Sequence, residues 1–311
     1  MLPFLRRLLQ SLLVLFVLFT LTFLLVKALP YGPFQTEKAI PAHIRERIED
    51  YYALNDPLWT QYGRTLVNYL LRGDAGPSLR LEGREVAEII RHAFPVSLHL
   101  GVVAMAFAVA LGIPAGVIAA RCRNSLLDYA LMTLAMAGIC LPGFVIGPAL
   151  ADWFGRRAQL LPAVGWDRTD PATWLLPALT LGLASAAYLS RLTRAGMLDI
   201  LHQDFIRTAR AKGVSEPAIL VRHALRGGLV PAVAYLGPAF AATISGSVVI
   251  ETIFHIPGLG QHFIKAIETG DGPVIQGIVL LYGSLIIAAN LLTDLAQLWL
   301  NPRLRSTPDP G

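Results

Sequence analysis

The chain has 311 residues, of which 54% are apolar and 15% charged, with a formal net charge of +5 and a mean hydropathy of +0.55. A soluble domain carries about 25% charged residues, so this composition excludes an ordinary water-soluble globule and points to a membrane protein. Six stretches lack Asp, Glu, Lys and Arg altogether: 8–26, 92–120, 129–151, 171–190, 227–250 and 272–293. Each is apolar and close to the ~20 residues that cross about 30 Å of hydrocarbon. The predicted fold is all-α and integral to the membrane, with six transmembrane helices.

In chain order, Arg6 and Arg7 precede the first span, as in a secretory signal. That span is longer than the ~7–15 residues of a signal core, and "VKALPYG" offers no small-residue cleavage pattern. It is expected to stay as an anchor, within an N-terminal section 1–30. Residues 31–96 form the next section, the only sizeable soluble segment. In it Ile44, Ile48, Tyr51 and Tyr52 recur at helical spacing, "LNDP" breaks the helix, and Leu58, Tyr62, Leu66, Tyr69 and Leu70 repeat the pattern before Gly73. Two short amphipathic helices are predicted, which either pack on the outer ends of the spans or dock an extracytoplasmic partner. "REVAEIIRHAFPVS" then reads as an interfacial helix stopping before Pro95.

The remainder, 97–311, is expected to be a five-helix core. Gly112 with Gly116, and Gly143 with Gly147, form two G-x-x-x-G pairs suited to close helix contact, with Pro114 and Pro142 adding kinks. Cys122 and Cys140 fall in a turn and a span and predict no disulfide. No H-e-x-x-H motif or Cys/His cluster is present, and His255 with His262 read as a solvated pair, so no metal is predicted. In the last span Asn290, Asp294 and Gln297 stand at i, i+4 and i+7 as one polar stripe. Interhelical hydrogen bonding and the lining of a translocation path are equal readings of it.

Orientation follows from basic residues. With both termini in the cytoplasm, Lys and Arg divide 13 inside to 13 outside, but nine of the outer ones lie in Lys27–Arg91, balanced by nine acidic residues. A segment that long translocates largely regardless of charge; without it the division is 13 to 4. The termini are therefore expected inside, with Arg121 and Arg123 in one inner loop, Arg303 and Arg305 in the tail, and the 31–96 segment in the periplasm.

Between the fourth and fifth spans lies the least apolar part of the core. Asp199 to Lys212 reads as one short helix stopped by Gly213. Ser215 is the predicted N-cap of a second helix, with Pro217 in its first turn, presenting Ile219, Leu220, Ala224 and Leu225 beside Arg222, His223 and Arg226, and closed by Gly227 and Gly228. Lipid headgroup binding is one reading of so basic an element; docking of a cytoplasmic motor protein is the sharper one. A DNA-reading helix-turn-helix does not fit, because spans flank it within a few residues.

"DFIRTARAKG" and "RHAL" in this element resemble the cytoplasmic coupling loop of binding-protein-dependent ABC importers, in the oligopeptide and dipeptide branch. "LNDP", "GDAGPS", "FPVSLHLG", "GIPAGVIAA", "GPAFAATISGSVVIETIF" with "PGLG", and the terminal "NPRLR" extend the resemblance over essentially the whole chain. The general family loop is E-A-A, three residues, Gly, nine residues, then I-x-L-P. Here Ala209, Gly213 and Leu225 match it, while Arg207, Thr208, His223 and Arg226 stand in place of the Glu, the first Ala, the Ile and the Pro. Residue 207 thus carries the opposite charge to the family's Glu.

The resemblance implies a multi-pass permease subunit of the bacterial inner membrane, not an enzyme, forming half of a translocation path for oligopeptides. A dipeptide, a murein peptide or nickel are the alternative cargoes within the family. It also implies partners: a homologous second membrane subunit, two cytoplasmic ATPase subunits and an extracytoplasmic peptide-binding protein. Arg207, Thr208, Ala209, Arg210, Lys212, Gly213, His223 and Leu225, within about 199–226, would couple to the ATPases. No Gly is followed by Lys, so the chain has no G-x-x-x-x-G-K-[ST] phosphate cradle and no cofactor is expected in it; ATP would be bound by the partners. An ion-coupled carrier or channel is the rival class. Its spans would carry ionisable groups at mid-membrane, and here only His99 and near-terminal Asp294 qualify. An intramembrane hydrolase is weaker still, with neither G-x-S-x-G nor H-E-x-x-H.

Overall fold

A computed structural model describes residues 2–28, 42–81 and 83–300. Arg303 and Arg305 with the "NPRLR" run, and the side chains of Ile44 and Leu70, lie outside the described residues. The helices are α1 (Leu2–Ala28), α2 (Ala42–Tyr52), α3 (Leu58–Val67, continued by a π-helical turn Asn68–Arg72), α4 (Val86–Arg121), α5 (Leu126–Cys140) and α6 (Gly143–Leu150, continued by a π-helical turn Ala151–Arg157). There follow α7 (Pro171–Leu201), α8 (Asp204–Ala211), the helical run 216–228 (α9), α10 (Val230–Phe254), α11 (Leu259–Thr269) and α12 (Gly272–Leu300). Within these, α1, α4, α7, α10 and α12 are long and apolar enough to cross a membrane, and α5 with α6 makes one further pair, bent by 104°.

The bend falls at Pro142, where a kink is expected, and is sharp enough to break the third span, 129–151, into two helices. Pro142 has no N–H to donate and disfavours a helical Leu141, which is extended at φ −86°, ψ 117°. Pro95 does correct the sequence reading, because α4 runs through it without a break. Val86, Ile89, Ala93, Ser97, Leu100, Ala104 and Ala108 are each at most 2% exposed, at spacings of three and four residues. Pro95 and Pro114 both sit on the exposed side of that stripe. A proline inside a helix costs about 3 kcal/mol, and the unbroken buried face on either side of it outweighs that.

Contacts group the chain into two compact units, residues 1–97 with 256–285, and 98–255 with 286–311. In the first, α3 packs on α1. The Tyr62 ring meets Phe19 and Phe23 edge-on at 5.6 and 5.3 Å, Tyr69 meets Phe19 at 5.7 Å, and the hydroxyls of Thr20 and Tyr62 are 2.8 Å apart. So the predicted apolar face of α3 is used for packing, except at Leu58, which is 58% exposed. Ile48 and Tyr52 of α2 close over Leu79, and the Tyr52 hydroxyl reaches the Pro77 carbonyl at 2.8 Å.

Asp271 lies beneath the "GDAGPS" turn at 2% exposure, accepting hydrogen bonds from the Ser78 hydroxyl and, at 3.2 Å, from the Leu79 N–H. Burial holds its carboxyl above the usual carboxylate range, against the lowering effect of those donors. A raised folded-state pKa means stability that is complete below the ordinary carboxylate pKa and lost as pH rises through the raised one. Asp271→Asn, which keeps the shape and removes the charge, should therefore melt at or above the wild-type temperature near pH 8, with the gap closing toward about pH 4. Thermal unfolding of the detergent-solubilised chain across that range checks this, and a variant that melts lower at high pH than at low contradicts it.

In the second unit, α4 and α7 touch backbone to backbone. A Cβ added to Gly112 would lie 2.5 Å from the Ala186 carbonyl oxygen, one on Gly116 2.4 Å from that of Ser190, and one on Gly182 2.5 Å from that of Ala104. Numbers rise together along both helices, so α4 and α7 run parallel. The predicted role of Gly112 and Gly116 is thus met. A Cβ on Gly143 would make only ordinary contact, at 3.5 Å, and one on Gly147 a tighter one, at 3.3 Å, with the side chains of Phe254 and Thr180 and with no backbone.

Candidate coupling element

The fourth span is longer than its charge-free stretch suggests. Asp199 belongs to α7, and the chain turns at His202 and Gln203 before α8 begins at Asp204, in place of the single Asp199–Lys212 helix expected. α8 buries one residue fully, Ile206, and leaves Phe205 47% exposed. Its end has the geometry that a glycine permits: Gly213 is left-handed at φ +80°, its N–H bonds the Arg210 carbonyl at 2.9 Å, and the Val214 N–H bonds the Ala209 carbonyl at 3.2 Å. This pair of bonds is a Schellman closure, which satisfies the last carbonyls of the helix.

Arg210 then grips Glu216 across the turn with both guanidinium arms, at 2.7 and 3.3 Å. That bond holds the Glu216 carboxyl below its ordinary range. Both partners are about half exposed, so the pair fixes the turn more than it stabilises the fold.

Ser215 occupies the predicted N-cap of α9 without a side-chain capping bond, with Pro217 in the first turn. Ile219, Leu220 and Ala224 are buried, and Leu220 and Ala224 form one cluster with Ala120 of α4 and Met197 of α7. Gly227 and Gly228 are the last two residues of this helical run, as expected, though neither is left-handed. Their smallness serves packing, since a Cβ on Gly228 would meet Met197 at 2.6 Å, and one on Gly196 would meet the Gly228 carbonyl oxygen at 2.3 Å. The element is therefore clamped to the ends of α4 and α7 on one side. On the other it shows Phe205, Arg207, Thr208, Lys212, Val221 (66% exposed), Arg222 and His223 to solvent.

Of the eight predicted coupling residues, Arg207, Thr208, Arg210, Lys212, Gly213 and His223 are exposed, while Ala209 and Leu225 are half-buried. The weak Arg207–Asp204 contact, 3.4 Å between highly exposed groups, leaves Arg207 available to a partner. The predicted path residues lie elsewhere, on α12. Asn290 is exposed and Asp294 and Gln297 are half-buried, beside the buried pair Ala289 and Thr293 on which Gly237 of α10 packs.

Sequence reasoning missed two further groups. Arg194 of α7 clasps the buried Asp128 with two bonds of 2.7 Å, and the Asn124 N–H adds a third at 3.0 Å. Only half of that was readable, in the S-x-x-D pattern at Ser125 and Asp128 that starts α5. Glu251, fully buried near the end of α10, accepts a 2.6 Å bond from the Ser247 hydroxyl. It escaped notice because the charge-free stretch stops one residue before it.

The described residues thus form helices apolar enough to span a membrane, with a polar, glycine-turned element clamped to the ends of two of them. Residues 112–306 match the family described as "Binding-protein-dependent transport system inner membrane component", and the chain belongs to that family. It is 42% identical to the oligopeptide transport system permease protein OppB of Haemophilus influenzae, over 96% of this chain and 98% of that one. It is equally, 42%, identical to the dipeptide transport system permease protein DppB of Bacillus subtilis, over 93% of each. Among solved structures, an inward-facing form of the MetNI methionine ABC transporter superposes with a TM-score of 0.60 at 16% identity, covering 69% of this chain and 97% of that one. This protein is an inner-membrane permease subunit of an ABC importer.

Proposed function

We propose that the chain is one of two homologous membrane subunits of an ATP-driven oligopeptide importer, with both termini and 204–228 in the cytoplasm and 42–81 outside. Two ATPase subunits, which bind the ATP, and an extracytoplasmic peptide-binding protein complete the machine. The observation that carries this is the clamp of Gly196 on Gly228 beneath an outward face of Phe205, Arg207, Lys212 and Val221. A docked ATPase would push on that face, and the push would reach α4 and α7 with little slack because backbone meets backbone there.

Six crossings are supported by the course of α5 and α6. Asp128 lies against Arg194, Gly138 against Ala187, Gly147 against Thr180, and the Gly165 N–H bonds the Phe254 carbonyl at 2.9 Å. The chain thus climbs α7 from its end toward its beginning, as parallel α4 and α7 require. Oligopeptide cargo follows the name of the Haemophilus relative; a dipeptide is the second reading, carried by the equally similar Bacillus relative. Asn290, Asp294 and Gln297 are the proposed path residues.

The test is ATP hydrolysis in liposomes by the chain co-assembled with its ATPases and second membrane subunit, with and without peptide-loaded binding protein. Stimulation is expected, and Gly213→Val should abolish it. No atom crowds the position, so the variant costs only the ~1–2 kcal/mol of a left-handed β-branched residue and still inserts. Wild-type stimulation in Gly213→Val removes the coupling role, and gradient-driven uptake by the chain alone replaces the whole reading with a carrier.

A further inference from the structure

A cavity of about 190 Å³ opens where α4 and α7 end against the coupling element. Its polar wall is made by Arg121, Arg123, His202 and Arg210, with Glu216 as the one carboxylate. Arg123 donates to His202 Nε2 at 2.7 Å. A guanidinium can only donate, so that nitrogen accepts, and the ring's Nδ1 carries the hydrogen that it gives to the Leu198 carbonyl. Three guanidinium groups thus face one carboxylate. Arg210 is engaged with that carboxylate, whereas Arg121, the last residue of α4, makes no hydrogen bond or ion pair among the described residues. Leu198, Leu201 and Leu220 complete the wall and give it an apolar side.

Two surplus guanidinium charges around one small concavity ask for an anion. Guanidinium forks such as those of Arg121 and Arg123, at and just beyond the end of α4, suit a tetrahedral phosphate, which accepts in several directions at once. The source of the phosphate follows from depth. Arg121 is the first charged residue after the charge-free stretch 92–120 of α4, so the cavity stands where that apolar run gives way to the headgroup side, and Leu198, Leu201 and Leu220 line it. We infer that this cavity binds the phosphate of an anionic phospholipid headgroup. A basic pocket between span ends at the cytoplasmic face is the setting in which such headgroups are held. The inference rests on the orientation proposed above. Because Arg210 and Glu216 straddle the Gly213 turn, a bound headgroup would brace α8 against α9 and make the stiffness of the coupling element depend on lipid.

The test reads lipid on the full-length chain, with no transport involved. The chain is reconstituted in nanodiscs of phosphatidylcholine with rising phosphatidylglycerol, and the lipid retained through detergent exchange is measured by mass spectrometry. Wild type should retain phosphatidylglycerol over phosphatidylcholine. Arg121→Gln with Arg123→Gln should retain roughly tenfold less, Arg121→Lys with Arg123→Lys should recover part of it, and Arg156→Gln with Arg157→Gln should match wild type. Equal retention by wild type and the Arg121/Arg123 glutamine variant overturns the site. Displacement of the lipid by millimolar inorganic phosphate overturns the lipid assignment in favour of a free anion. Loss of the lipid when ATPase subunits assemble overturns it in favour of an acidic side chain of the ATPase. If the importer reading fails but selective retention holds, the site stands by itself; if retention fails while peptide-stimulated hydrolysis holds, only the site falls.

Discussion

Arg194→Ala should lower the stability of the chain by about 3–5 kcal/mol, the range found when one partner of a buried pair is removed. Asp128 is 2% exposed in its side chain and Arg194 26%, so the arginine is the carboxylate's route to solvation, and the two 2.7 Å bonds are what hold the start of α5 against α7. Without them the carboxylate keeps the Asn124 N–H and loses its counter-charge. One further variant separates this from mere loss of side-chain bulk. Asp128→Asn with Arg194→Met removes the charge and keeps the volume, and should cost much less than Arg194→Ala alone, because no charge is stranded. Unfolding of the solubilised chain in mixed detergent measures both against wild type. If the double variant is as damaged as the single one, the pair is packing and not electrostatics.

The spans were legible because hydrocarbon imposes one simple demand, a run of about 20 residues without charge. Their ends were less so. α4 begins at Val86, amid charged residues, because Val86, Ile89 and Ala93 already belong to its buried stripe. Burial along one face is a tertiary property, and a rule that stops helices before proline does not contain it. Pro142 differs from Pro95 in this respect: the neighbouring Gly143 and Gly147 make no tight backbone contact that would hold a straight helix in place.

The coupling element was legible in its parts and not in its attachment. Gly213 was readable as a helix stop because a left-handed residue is a local requirement. Gly227 and Gly228 carry the same letter for another reason, the approach of α7, and local reasoning assigned them the same role. Arg194 and Asp128 stand 66 residues apart, and nothing local in the sequence points from one to the other. Loss of the Glu that the family loop carries is intelligible in the structure. Arg207 is exposed on the solvent side of α8, so its charge faces solvent and not the fold. The structure leaves it free to differ.

Gly116→Val should be strongly damaging to the second unit, costing at least about 3 kcal/mol, at or beyond the upper end of ordinary overpacking. The reason is what the new side chain meets. Its Cβ alone falls 2.4 Å from the Ser190 carbonyl oxygen and 2.6 Å from the Thr193 Cβ. A carbonyl inside a helix cannot rotate away, so α4 and α7 must part, and Gly112, 2.5 Å from the Ala186 carbonyl at its own ideal Cβ position, shows that the close contact extends over a full turn. Parting them withdraws the support of the coupling element too, since Ala120 and Met197 lie further along the same two helices. Gly246→Val is the control. It adds the same side chain to α10 where nothing lies within 4 Å, and the folded yield should stay close to wild type. Comparable loss of folded chain in both variants would mean that valine in a spanning helix is harmful wherever it is placed, and the close contact of α4 with α7 would no longer explain the effect.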